Sequence, residues 1–180
     1  MPIAERELRY VVWQNRATRF YAAARLCHRS QLFAPAAYSA VIALELLLKG
    51  TLVYHDKSFV VADAGHSFAK LSRMVRNKVP CGRDVSVPAY FGHQQRYLMT
   101  SRYPQHGNGI LLPASFLNDL DAAFVGLLFL TPFQFNTELK NILSLRSSPE
   151  RNAIVTGNAH EKFLRRFLGV RLRPMRRIGA

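Results

Sequence analysis

The stretch Phe33 to Asp56, FAPAAYSAVIALELLLKGTLVYHD, reads as an almost wholly apolar helix with one charged pair, Glu45 and Lys49, spaced four apart. A helix that is apolar nearly all round is buried against several neighbours and is not laid on a surface. At 3.6 residues per turn, Ala37, Val41, Leu44, Leu48 and Leu52 form one stripe, and Glu45 sits only roughly 40° from its centre. An acid at the edge of a core needs a partner, because an unpaired buried charge is expensive.

The remaining helices are built around it. Ala4 to Ser30 is predicted as a long first helix, with Tyr10, Trp13, Ala17, Phe20, Tyr21, Ala24 and His28 on one stripe. Leu8, Val11 and Val12 fall outside that stripe and hint at a second contact surface, such as a subunit interface. The link Gln31-Leu32-Phe33 is short and Pro35 suits a first helical turn, so the two helices should form an antiparallel hairpin. Asp63-Ala64-Gly65 reads as a turn, and a third helix, Ser67 to Lys78, is capped by His66 or Ser67 and stopped by Val79-Pro80-Cys81-Gly82. Pro88 opens a short fourth helix to about Met99, and Arg102 to Leu112 is a loop broken by Pro104, Gly107, Asn108 and Gly109. Pro113 opens a fifth helix to about Leu130, with Asp119 and Asp121 in its first half, the favourable end of the dipole.

Beyond Thr131 the periodicity weakens. Phe133 to Leu145 is mixed, a strand or an extended arm, and Asn158-Ala159-His160-Glu161 resembles a capping box for a last short helix ending near Gly169. The expected fold class is all-α. It comprises an antiparallel up-and-down bundle of about five helices over residues 1–130 and a basic, less regular extension over 131–180.

Composition narrows the function classes. A chain of 180 residues fits one domain with a core that needs no disulfides, and 49% apolar with 11% aromatic residues argues against disorder. The opening MPIAERELRY is charged in its first turn and has no apolar leader, so a cytoplasmic protein is expected. The longest apolar run, Ala122 to Leu130 (broken only by Gly126), is too short to span a bilayer, and no membrane partner is expected. Cys27 and Cys81 lie far apart without CxxC spacing and read as reduced thiols. Twenty-five bases, nineteen of them Arg, against eleven acids give +14. The planar guanidinium suits phosphate, so the balance favours an anionic partner, nucleic acid first and an acidic protein second.

Three segments in order, Ala34 to Gly50 (APAAYSAVIALELLLKG), Gly65 to Leu71 (GHSFAKL) and Arg102 to Pro104 (RYP), resemble the HEPN domain, the higher-eukaryote and prokaryote nucleotide-binding helical bundle. The resemblance covers residues 4 to 130. It implies a dimeric bundle tied to nucleotide or RNA chemistry, a toxin–antitoxin or RNA-processing setting, and a nucleotidyltransferase-type partner. Catalytic members carry Arg-x4–6-His for metal-independent RNA cleavage. Here His28 follows Arg25 by three positions, His106 follows Arg102 by four, with three residues between, and His160 follows Arg151 by nine, so none matches. The resemblance therefore implies binding more than cleavage.

The leading candidate site is the loop Arg102-Tyr103-Pro104-Gln105-His106-Gly107-Asn108-Gly109. Its Gly-Asn-Gly turn can aim backbone N–H groups at an anion, with Arg102 and His106 completing a phosphate pocket and Tyr103 stacking on a base. The alternative is a plain turn in which Arg102 pairs with Glu45. His66 is a phosphate or acid–base candidate, or a helix cap. Lys49 is a ligand candidate or the i,i+4 partner of Glu45, itself a structural counter-ion. In the tail, Arg165, Arg166, Arg171, Arg173, Arg176 and Arg177 supply non-specific phosphate attraction. There is no Walker loop, no GxGxxG after a strand, no HExxH and no GxSxG, and the six His lack ligand spacing, so neither cofactor nor metal is expected. Three functions stay open: a binding module for nucleotide or RNA, an RNase toxin using Arg102 and His106, and a protein-interaction adaptor.

Overall fold

The computed structural model describes residues 3–93, 112–131, 137–145, 148–162 and 164, the side chains of 3–9 and 137 excepted. The fold is all-α, with no strand among the described residues. Helix α1 (Ile3–Arg29) and helix α2 (Phe33–His55) lie antiparallel. Tyr10 meets Tyr54 edge-on at one end, with centroids 5.0 Å apart, and His28 meets Phe33 at the other. The hairpin closes where Gln31 turns left-handed (φ 59°) and Leu32 N–H returns to Cys27 O at 2.8 Å. Gly50 permits the close approach, since a Cβ there would lie 2.9 Å from Trp13 Cβ.

The stripe Ala37, Val41, Leu44, Leu48 and Leu52 is buried throughout. By length and composition α2 is the one described helix apolar enough to cross a membrane, but 78% of its most apolar window is covered by the protein itself. Of the residues outside the α1 stripe, Val12 is exposed and Val11 half-buried.

Helix α3 (Val61–Ala64) is a single turn ended by Gly65 at φ 60°, ψ −147°, a region almost reserved for glycine. Helix α4 (Phe68–Lys78) follows, and its cap is Ser67, whose Oγ accepts from Lys70 N–H at 3.4 Å. Phe68, Leu71 and Val75 recur at helical spacing and seat α4 on the core. A 3₁₀ turn (Gly82–Asp84) comes next, and residues 90–93 are helical. Helix α5 (Phe116–Phe129) lays Phe124 flat against Tyr21, with centroids 3.8 Å apart and planes at 9°.

The arm expected over Phe133 to Leu145 is instead partly helix α6 (Thr137–Ser144). Leu139, Ile142 and Leu143 bury one face at i, i+3, i+4 spacing, and Arg19 grips Glu138 at 3.0 and 3.1 Å. Helix α7 (Pro149–Val155) was also outside the expected elements, although Ser148 caps it and Pro149 occupies its first turn. Ile154, Val155 and Leu164 join the same apolar cluster as α1, α2 and α5. Asn158 caps the last turn as expected, its Oδ1 accepting from His160 N–H at 2.8 Å.

Asp56 ties the end of α2 to the end of α4. Its carboxylate accepts from Ser58 N–H and Oγ at 2.9 and 2.6 Å and from Lys78 Nζ at 2.6 Å. The Lys78 bond first, and then those of Ser58, hold its pKa below the ordinary 3.8. A depressed folded pKa contributes stability above the unfolded value, which is lost as pH falls through the folded one. Lys78 is 46% exposed, so solvent limits the contribution to about 0.2–1 kcal/mol. Asp56→Asn should therefore differ from wild type by that amount in urea denaturation at pH 7, and the gap should close below pH 3.8. A gap that widens in acid would contradict the pairing.

Candidate functional site

The charged pair inside α2 is a largely buried ion pair with a third member. Glu45 Oε1 accepts from Lys49 Nζ at 2.7 Å and from His66 Nδ1–H at 2.8 Å. The side chains of Lys49 and Glu45 are 6% and 13% exposed, while His66 is 68% exposed. His66 is thus not the cap of α4. The bend at Gly65 presents its ring to Glu45 from the surface. Of the expected ligand groups, Lys49 and His66 meet at Glu45, the expected counter-ion. Arg102, Tyr103 and His106 lie outside the described residues, as do Arg165, Arg166, Arg171, Arg173, Arg176 and Arg177.

A second polar cluster, unforeseen in the sequence, sits deeper. Arg25 is 0% exposed and each of its three nitrogens is engaged: Nη1 donates to Asp121 Oδ2, Nε to Ala153 O at 2.6 Å and Nη2 to Thr156 O at 2.8 Å. Tyr21 OH donates to Asp121 Oδ1 at 2.6 Å and accepts from Asn158 Nδ2 at 2.8 Å. Burial pushes the Asp121 carboxyl above its ordinary range, opposed by Arg25 and by the Tyr21 bond, and burial likewise raises Tyr21. Asp121 is therefore not a dipole acid. Asp119 keeps that place, accepting from Ser115 Oγ at 2.8 Å and Tyr90 OH at 3.2 Å. Each nitrogen of Arg25 bonds to an acceptor within the chain, and two of the three acceptors are carbonyls at the end of α7, so the cluster is a clamp on α7.

The third cluster does offer donors. Helix α4 carries four bases, Lys70, Arg73, Arg76 and Lys78, and no acid. Lys70 Nζ is held by Asp63 O at 2.9 Å and Lys78 by Asp56. Arg73 and Arg76 are exposed, as is Arg83 in the following turn, and none of the three makes a hydrogen bond or ion pair with another described residue. They line two adjoining hollows. One, about 230 Å³, lies between α4 and residues 82–87, and the other, about 550 Å³, runs along α4. Ser72, Arg76 and Arg83 border both, and no carboxylate borders either. Cations near a helix C-terminus answer its dipole, which accounts for Arg76 and Lys78. It does not account for Arg73, a turn earlier, or for Arg83. The acid-free basic face of 68–78 was visible in the sequence, but the approach of Arg83 depends on the turn that folds it back.

Both cysteines are free, and no group of His, Cys, Asp and Glu among the described residues could hold a metal ion. Comparison with family models, with curated proteins and with solved structures returns no match for this chain.

Proposed function

We propose that this chain is a HEPN-like helical module, an antiparallel up-and-down bundle acting as a homodimer, that binds RNA or a nucleotide through its phosphates. The observation that carries the reading is the set of three arginines, Arg73, Arg76 and Arg83, which pair with no described residue and line two hollows bordered by no carboxylate, in a +14 chain. Guanidinium groups crowded without a carboxylate repel one another, and a phosphate turns that repulsion into charge-assisted, bidentate bonding. Binding of this kind releases counterions, so it weakens steeply with salt.

The test is a titration of a fluorescein-labelled oligoribonucleotide, read by anisotropy, with the RNA run on a gel afterwards. Neutralising three to five phosphates of a single strand should weaken binding by roughly 10- to 100-fold between 50 and 200 mM salt. The RNA should stay intact. Absent or salt-insensitive binding would count against the reading, and cleavage that is lost in His106→Ala would replace it with the RNase alternative.

A further inference from the structure

We propose that the smaller hollow, between α4 and residues 82–87, is a built phosphate subsite for a nucleotide unit. This deepens the nucleic-acid reading above and rests on it. Two elements bring their cations to the hollow, Arg76 from α4 and Arg83 from the 3₁₀ turn. Their proximity is enforced by Gly82, where an added Cβ would lie 2.3 Å from Val75 O and 2.9 Å from its carbonyl carbon. Only a residue without a side chain lets the turn fold this tightly against the end of α4, and Arg83 follows directly. The far wall is held as well, since Val85 packs against α5 so closely that a Cβ on Gly126 would lie 3.2 Å from Val85 Cγ1. The arrangement is preorganised, which lowers the entropic cost of closing on a ligand.

Ser72 points the same way. Ser72 borders the hollow, and its buried Oγ makes no hydrogen bond with any described residue. Buried hydroxyls without a partner are rare, and a phosphate oxygen would supply one beside two guanidinium forks. Size selects the group. Pockets for drug-sized ligands run to about 300–1,000 Å³, so the 230 Å³ here is short of a whole nucleotide and ample for a phosphate. The adjoining 550 Å³ groove, with Arg73 and Asn77, takes the attached sugar or the next phosphate.

The subsite is tested with Arg76→Ala/Arg83→Ala, Arg76→Lys/Arg83→Lys and Ser72→Val, alongside a tail variant with Arg171, Arg173, Arg176 and Arg177 changed to Ala. The probes are the labelled oligoribonucleotide, uridine monophosphate and inorganic phosphate. The double Ala variant should keep its circular dichroism and melting temperature, lose at least tenfold in oligoribonucleotide affinity, and show a shallower salt slope by about 1.4 for the two lost contacts. Lys should rescue only part of the loss, because it keeps the charge without the fork. Ser72→Val should weaken binding with the salt slope unchanged. Inorganic phosphate should compete RNA from wild type and not from the double Ala variant. Uridine monophosphate binding that needs Arg76 and Arg83 would identify a free nucleotide as the ligand, and binding of the oligomer alone would identify an RNA strand; both support the subsite. RNA binding that survives in the double Ala variant and vanishes in the tail variant overturns the subsite and leaves the RNA reading standing. A wild-type chain that binds none of the probes overturns both.

Discussion

Arg25→Ala is expected to destabilise the fold by about 3–5 kcal/mol, the usual consequence of stripping one partner from a buried ion pair. Arg25 and Asp121 are 0% and 1% exposed, so neither can recover its lost partner from solvent. Removing the guanidinium also strands the carbonyls of Ala153 and Thr156, and with them the attachment of α7 to α1. Asp121→Ala should cost a similar amount, leaving the cation buried. In the double variant Arg25→Met/Asp121→Leu both charges go, and a well-packed apolar pair is close to neutral. The stranded carbonyls should still leave a residual loss of about 1–3 kcal/mol. Urea denaturation of wild type, Arg25→Met, Asp121→Leu and the double variant forms a cycle, and single losses that simply add would refute the coupling.

The pH dependence has a definite sign. The folded pKa of Asp121 is raised by burial above the 3.8 of a free carboxyl. An acid raised in this way favours the folded state below its unfolded pKa, and that contribution is lost as pH rises through the folded one. Without Arg25 the shift grows, so the deficit of Arg25→Ala should be smallest in acid and widen toward neutrality. Hydrogen exchange should find the amides of 149–155 deprotected before those of α2, because the clamp is their main polar tether.

Glu45→Ala should be the other severe substitution, at about 3–5 kcal/mol, since it leaves the Lys49 ammonium inside the bundle. An exposed i,i+4 pair would contribute only about 0.2–0.5 kcal/mol, and burial is what separates the two outcomes. His66→Ala removes a contact to Glu45 from a ring that is 68% exposed, so its effect should stay under about 1 kcal/mol. Lys49→Met should be milder than Glu45→Ala, since it removes the buried cation, fits the apolar helix and leaves Glu45 paired to His66. Thermal melts of the three variants decide the matter, and a Glu45→Ala loss below 1 kcal/mol would mean that Lys49 finds another partner.

Much of this molecule could be read locally. The α1–α2 hairpin followed from two stripes and a short link, and α4 from its cap and its stop at Val79-Pro80. The oddity of Glu45 was also legible, and its need for a counter-charge is met by Lys49 and His66. The C-terminal helices were harder. Leu139, Ile142 and Leu143 have helical spacing and Ser148-Pro149 is a helix start, but each helix is too short to stand alone, since an isolated helix below about 12–15 residues is marginal in water. They exist because α1 offers them an apolar face and Arg25 offers a donor.

The difference lies in the range of the forces. Periodicity and capping act over a few residues and net charge is a matter of composition, so the helical class, the buried α2 and the +14 charge were inherent in the amino acids themselves. Arg25 and Asp121 lie 96 positions apart, and Gln14 and Thr131, which share a buried hydrogen bond, are 117 apart. No local pattern encodes such pairs, because their energy is realised only when packing has excluded water around both partners. The same holds for the hollow beside α4. Its arginines are plain in the sequence, but their meeting at one hollow required Gly82 to press against Val75 and Val85 against Gly126.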